Sequence, residues 1–222
     1  MAFVLAKRGD LPLRLGFAGV GGAGKTLTAL KVARALTDGA IAVIDTEAGS
    51  AQLYADKISQ GFLVSALERA GPVELMAAME EAKLTKAKVL IIDSASAEWS
   101  GKGGCLEMVD SLGKFKGWAQ VTPLHNAWLD AVRAWPGHVI LTVRRKPDYQ
   151  VSGSGVPKKI GLTYVQRDSF EYELDAVFDF EGEGLVIVAK SRLDAPLEQG
   201  ATLKRADLPE LIARAVTNGQ PS

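Results

Sequence analysis

Residues 19–26 read Gly-Val-Gly-Gly-Ala-Gly-Lys-Thr and lie between an apolar run, residues 11–18, and a segment of helical period, residues 25–36. The spacing G-x-x-x-x-G-K-[ST], placed at a strand-to-helix turn, restricts the fold more than any other feature of the chain. Its glycines let backbone N–H groups close around phosphate oxygens, and the positive end of the following helix favours the same anion. The spacing predicts a nucleotide-phosphate cradle made of Gly19, Gly21, Gly22, Ala23, Gly24, Lys25, Thr26 and Leu27. Lys25 would reach the β- and γ-phosphates of ATP, and the Thr26 hydroxyl would ligate Mg²⁺.

Residues 40–44, 88–93 and 139–143 are further apolar runs, and residues 72–86 form an amphipathic helical segment between two of them. Apolar strands separated by helices predict an α/β chain with a mostly parallel sheet covered on both faces. Beyond Arg144 the texture changes. Residues 171–180 and 185–190 read as two β segments around the Glu-Gly-Glu-Gly turn at 181–184, an antiparallel addition to the core. A final helix is expected over residues 208–216, with Asp207 as N-cap and Pro209 in its first turn. Leu124, Trp128, Ala131 and Trp135 recur at helical spacing after Thr122-Pro123, which reads as an N-cap and N1 pair. That stripe is expected to pack in the core. Without repeats or low-complexity segments, residues 1–222 predict one domain, with a core over about 11–204 and a terminal helix over about 207–217.

Composition removes several function classes. With 26 basic and 26 acidic residues the net charge is zero, so nucleic-acid binding would need a local basic patch. One cysteine, Cys105, and two histidines, His125 and His138, exclude a disulfide framework and an ordinary zinc site. The apolar runs fall well short of the roughly 20 residues that span a membrane. The first residues lack the charge and apolar length of a secretory signal, and the single cysteine points to a reducing cytoplasm.

The cradle requires an acidic partner for magnesium at the end of a buried strand, and Asp93, closing Val89-Leu90-Ile91-Ile92-Asp93, supplies it. Hydrolysis also requires a group that orients or deprotonates water. Ser94 occupies the place after Asp93 where many such ATPases carry a glutamate, so the candidate is Glu47 in Ile44-Asp45-Thr46-Glu47, beyond the end of a neighbouring strand. Asp45 reads as its support.

Together, Gly-Val-Gly-Gly-Ala-Gly-Lys-Thr, Ile-Asp-Thr-Glu and Ile-Ile-Asp-Ser resemble the RecA-type ATPase core, a P-loop fold with a mostly parallel central sheet. The resemblance implies that Tyr54 stacks on adenine, and that Lys190 and Arg192, in Lys-Ser-Arg-Leu-Asp-Ala-Pro, reach into a neighbouring subunit's nucleotide. Arg192 stands where the bacterial recombinase has lysine. Glu98-Trp99, Val121-Thr122-Pro123, Pro157-Lys158-Lys159, Val165-Gln166-Arg167-Asp168 and Glu171-Tyr172-Glu173 further resemble a group of phage-encoded AAA-type ATPases, the RecA-like single-strand annealing proteins. This implies a homo-oligomer, ring or filament, acting on single-stranded DNA in host cytoplasm. The short segments before residue 11 and after 204 favour annealing over strand exchange, with help from a single-stranded DNA-binding protein.

One segment gives local support. Between residues 144 and 167, Arg144, Arg145, Lys146, Lys158, Lys159 and Arg167 face a single acid, Asp148, around a glycine-serine centre that reads as a mobile loop. With Tyr149 and Tyr164 available for stacking, it has the character of a sequence-tolerant single-strand binder. Residues 100–104 are a second candidate. Two other readings stay open, a small-molecule kinase with this loop as its lid and a regulatory NTPase that binds no DNA.

Overall fold

Strands β1 (Arg14–Gly19), β2 (Ile41–Asp45) and β4 (Val89–Asp93) are buried at every position, as apolar runs covered on both faces must be. The computed structural model describes residues 12–151, 157–168 and 170–217. The remaining strands are β3 (Leu63–Ala66), β5 (His138–Val151), β6 (Pro157–Tyr164), β7 (Ala176–Phe180), β8 (Leu185–Ser191) and β9 (Thr202–Lys204). The helices are α1 (Lys25–Leu36), α2 (Pro72–Leu84), α3 (Ser96–Ser100), α4 (Cys105–Leu112), α5 (Lys114–Arg133) and α6 (Leu208–Thr217). The sheet order is β3-β2-β4-β5-β1-β7-β8-β9, with β6 paired to β5 outside that path. Strands β1, β2, β3, β4, β5 and β7 pair in parallel, while β6, β8 and β9 join antiparallel.

Alternation along the strands sorts side chains to two faces. Ile41 and Val43 join Phe17, Leu30, Phe178 and Ile212 under α1 and α6, while Ala42 and Ile44 join Leu75, Met79, Trp128 and Val132 under α2 and α5. Trp128 lies parallel to Phe170 with ring centroids 6.2 Å apart, and truncating it to alanine would cost roughly 3–5 kcal/mol. Because the parallel strands share one direction, the loops after β1, β2, β4 and β5 all emerge at one edge.

Three expectations need correction. Helix α5 starts at Lys114, so Thr122-Pro123 is not its beginning and Pro123 lies inside it. Proline lacks the N–H that an interior helical position donates. The first half of α5 is nevertheless held, because Gly117 lies against the α4 backbone and an added Cβ would meet Val109 O at 2.7 Å. Val121 packs with Cys105 and Val109 in the same small core. Second, β7 begins at Ala176, because residues 170–173 form a 3-10 turn that drops Phe170 into the core. Third, the basic segment after Arg144 is a β-hairpin, not a loop: β5 runs on past the core and pairs with β6, Arg145 facing Tyr164 and Val151 facing Pro157. Its glycine-serine centre, residues 152–156, lies outside the described residues.

Beyond β4, α3 to α5 close on a buried polar knot. Glu98 Oε1 accepts from the Cys105 thiol at 3.0 Å and lies 2.9 Å from His125 Nδ1, while Oε2 accepts from Gln166 Nε2 at 3.3 Å. Burial pushes the Cys105 thiol pKa up, which keeps it a donor. Both carboxylate oxygens already have partners, so the knot ties helices together. Among the described residues no helix is long and apolar enough to cross a membrane.

Candidate nucleotide site

At the exit of β1 the chain turns through Gly22 and Gly24 in left-handed backbone, φ 77° and 88°, and Gly24 caps α1. Gly21 and Gly22 face open space, where an added Cβ would meet nothing within 4 Å. Lys25 is 8% exposed, and its Nζ donates to Gly19 O at 3.1 Å and Val20 O at 2.9 Å. Burial lowers the ammonium pKa, Glu47 and Asp93 draw it back up, and Arg144 pushes it down again. The lysine is thus parked on loop carbonyls and surrounded by the charges expected of a phosphate grip.

Asp45 and Asp93 face each other in register at the ends of β2 and β4. The two carboxylates do different work. Asp45 is buried, and its oxygens accept from Glu47 N at 2.6 Å and Ala51 N at 2.8 Å, which shapes the turn that presents Glu47. Thr46 staples that turn to β4, its N–H donating to Asp93 O at 2.7 Å and its hydroxyl accepting from Ser94 N at 2.8 Å. Asp93 Oδ1 accepts from the Thr142 hydroxyl, whereas Oδ2 is buried with no hydrogen-bond partner. Burial raises the Asp93 pKa, the Thr142 bond and the nearby Thr26 hydroxyl lower it, and Glu47 and Asp45 raise it further. A buried carboxylate oxygen left without a donor, beside the Thr26 hydroxyl, fits one protein side of a hydrated Mg²⁺ ion.

The arrangement has counterparts. A model of the AAA domain matches residues 11–193. The chain belongs to the AAA-domain family. No curated protein matches its sequence. Among solved structures, this AAA domain is similar to a prototypical ATPase from the type III secretion system of pathogenic bacteria, at 14% identity and a TM-score of 0.52. The match covers 93% of this chain and 61% of that one, so the chain spans only part of that protein's length. With the mostly parallel sheet and glycine-rich turn, this likeness gives the AAA domain a RecA-like P-loop fold.

Three further expected site residues lie on or beside other elements of this AAA domain. Tyr54 sits in a 3-10 segment, Ser50–Lys57, packed against the α1 face of the core, with Lys57 Nζ 5.6 Å from its ring centroid. Lys190 and Arg192 lie at the far edge of the sheet, because β8 runs antiparallel and Ser191 pairs with Ala176 while the P-loop lies beside Phe180. Lys190 Nζ donates to Glu171 O and Leu174 O at 2.7 Å each, and Arg192 pairs with Asp175 at 3.2 Å. Neither serves the P-loop of its own chain.

Of the basic hairpin residues, Arg144 bonds Glu47, and Arg145, 12% exposed, is enclosed between Asp179 and Glu181. The Tyr164 hydroxyl donates to Asp179 at 3.0 Å, so that ring belongs to the same anchor and is not free for stacking. Lys146 is exposed; the side chains of Lys158, Lys159 and Tyr149 lie outside the described residues. In the second DNA candidate, residues 100–104, the glycines Gly103 and Gly104 are buried while Ser100 and Lys102 are exposed; Gly103 N donates to Glu107 at 2.5 Å and Ala70 N to Lys102 O at 3.0 Å. Two contributors escaped the sequence reading. Thr142 was legible as the one polar residue in the apolar run 139–143. Arg205, which donates to Ala23 O at 2.7 Å and covers Gly24, carried no signal, being 182 residues away.

Proposed function

We propose that the protein is an Mg·ATP-dependent RecA-like ATPase that works as a homo-oligomer on single-stranded DNA during phage recombination, as an annealing protein. The observation that carries the hydrolytic half is the meeting, at one sheet edge, of a parked Lys25, an Asp93 oxygen without a donor and a Glu47 presented by its own turn. P-loop N–H groups and Lys25 would bind the phosphates, and Thr26 and Asp93 would hold the metal. Bound Mg²⁺ would neutralise charge on the β- and γ-phosphates. Glu47 would accept a proton from water as the water oxygen bonds the γ-phosphorus and the bond to the ADP oxygen breaks. The position of Lys190 and Arg192, away from their own P-loop, fits residues that serve a neighbour's site.

The DNA half rests on the basic hairpin, which leaves from the nucleotide edge and carries an exposed Lys146. All 222 residues form one functional domain in this reading, with a separate single-stranded DNA-binding protein as helper. The regulatory alternative, an NTPase without DNA, is favoured by one observation, the engagement of both Arg144 and Arg145 with acids of the same chain. Phosphate release from ATP with and without a single-stranded oligonucleotide, with Lys25→Ala as control, separates the two. Stimulation lost in Lys25→Ala supports the proposal. Hydrolysis indifferent to DNA supports the regulatory reading, and phosphorylated small-molecule product would make the protein a kinase.

A further inference from the structure

Glu98, Cys105 and His125 come from three helices, α3, α4 and α5, and converge where solvent does not reach, with exposures of 0%, 0% and 2%. One carboxylate oxygen, the thiol sulfur and one ring nitrogen all lie within 4.8 Å of one another. Among the described residues no other group of three histidine, cysteine or acidic side chains comes together in this way. The set is invisible to a count of cysteines and histidines, because a carboxylate supplies the third ligand.

A buried carboxylate is costly unless positive charge meets it. Among the described residues no lysine or arginine pairs with Glu98, whose partners are a thiol, an imidazole and an amide. Glu98 Oε1 stands 3.0 Å from Cys105 Sγ and 2.9 Å from His125 Nδ1, separations that protons bridge. Around tetrahedral zinc, with bonds of about 2.0–2.3 Å, neighbouring ligand atoms stand roughly 3.3–3.6 Å apart. A shift of about half an ångström would therefore exchange the bridging protons for a metal ion, with each helix left in its place. Thiolate, imidazole and carboxylate together suit zinc, whereas magnesium and calcium take oxygen ligands.

The surroundings hold these groups in position. The Trp99 and Trp128 rings pack on the His125 ring, with centroids 5.5 Å and 5.9 Å away. Gln166 Nε2 donates to Glu98 Oε2 at 3.3 Å and to Ala95 O at 3.1 Å, which orients the carboxylate. Contacts of this kind fix the rings and carboxylates of metal ligands.

We propose that Glu98, Cys105 and His125 form a structural zinc site, with the second Glu98 oxygen as fourth ligand, that clamps α3, α4 and α5 behind the end of β4. Zinc binds as the Cys105 thiolate forms; the thiol proton leaves to solvent and no electron is transferred. Without zinc the thiol keeps its proton, and the same three groups hold the helices by hydrogen bonds. The ion takes no part in nucleotide chemistry, so this inference stands apart from the ATPase reading.

The test uses the whole chain, stripped with chelator and reloaded with zinc or cobalt. Wild type should take up one zinc per chain, and its Tm should rise by about 5–10 °C when free zinc stands about 100-fold above Kd. Cobalt in the site should show a sulfur-to-metal charge-transfer band, which only Cys105, the sole cysteine, can supply as a thiolate. Cys105→Ala should lose that band and more than about 100-fold in zinc affinity, while Gln166→Ala, which removes only the support of the carboxylate, should lose roughly tenfold. Asp93→Asn should leave zinc uptake unchanged, because it alters only the metal ligand proposed for the nucleotide site. A stripped wild type that takes up no zinc, cobalt bound without the charge-transfer band, zinc retained in Cys105→Ala, or zinc lost in Asp93→Asn would each overturn the inference. The cobalt band needs no variant, so it decides even where Cys105→Ala fails to fold.

Discussion

At the ends of β1, β2 and β4 the charged side chains Lys25, Asp45 and Asp93 are enclosed and largely bonded, whereas Arg144 and Lys146 on the β5–β6 hairpin stand in solvent. Both regions leave the same edge of one sheet. Enclosed charges are held in low dielectric, so each acts strongly and on its own. Exposed charges are screened and act weakly, by number. The difference predicts that single substitutions abolish function in the first region and only grade it in the second. Arg145 is the informative exception, because it sits on the hairpin but is built like the enclosed set.

The largest effect is expected at Lys25. Lys25→Ala should lower ATP turnover by about 100-fold or more, measured as phosphate release at saturating nucleotide. Retained turnover would mean that the enclosed region is structural and would dissolve the comparison.

Arg145→Ala comes next, and on stability. It removes the cation shared by Asp179 and Glu181 beneath the hairpin and is expected to cost about 2–4 kcal/mol, read by chemical denaturation. Arg144→Ala, whose pair is exposed, should stay within about 1 kcal/mol of wild type. Similar losses for the two would erase the distinction between the enclosed and the exposed arginine.

Asp93 sharpens it from the other side. Burial holds its pKa above the ordinary 3.8, so the folded protein binds this proton more readily than the unfolded chain does. Above the folded pKa the charged group therefore destabilises the fold. That penalty is relieved as pH falls through the folded pKa toward 3.8. Asp93→Asn is accordingly expected to stabilise the nucleotide-free protein by on the order of 1–2 kcal/mol while removing Mg²⁺-dependent turnover. The gain should shrink as the pH of the melt is lowered. A destabilised Asp93→Asn would show that the Thr142 bond and the nearby Thr26 hydroxyl outweigh burial.

The same contrast explains what could be read before the structure. Residues of the enclosed region announce themselves because a buried strand must be apolar, which makes Asp93 at the end of Val89-Leu90-Ile91-Ile92 conspicuous, and because the loop turns through Gly22 and Gly24. The hairpin was hidden because β5 leaves the core after Val143, so nothing imposes an apolar period on Arg-Arg-Lys-Pro-Asp. Strand β3 is exposed at all its positions and, although it carries Leu63 and Val64, is only four residues long, too short for a pattern to stand out. Pro123 concealed the first half of α5, since the close packing at Gly117 that holds the helix together has no sequence signature. The roles of Tyr54, Lys190 and Arg192 rest on resemblance alone, and β8 carries Lys190 and Arg192 away from the P-loop of their own chain.

Lys146 is the weakest of these tests and the most specific to the exposed region. It follows the anchor Arg145, faces Thr163 across the hairpin and is exposed. If the hairpin tracks a single strand through its phosphates, Lys146→Ala should weaken binding to every sequence alike. The slope of log affinity against log salt should then become shallower by about 0.7, one counterion's worth for a single strand. At low salt the loss should be a few-fold and near 1 M salt it should disappear, because the Debye length there is about 3 Å. ATP turnover without DNA should stay at the wild-type level, since Lys146 lies beyond Arg144, the hairpin residue that pairs with Glu47. A change in sequence preference would indicate base reading instead of phosphate tracking. An unchanged salt slope would remove Lys146 from the DNA surface and, with Arg144 and Arg145 engaged inside the chain, count against the hairpin as the strand-binding element.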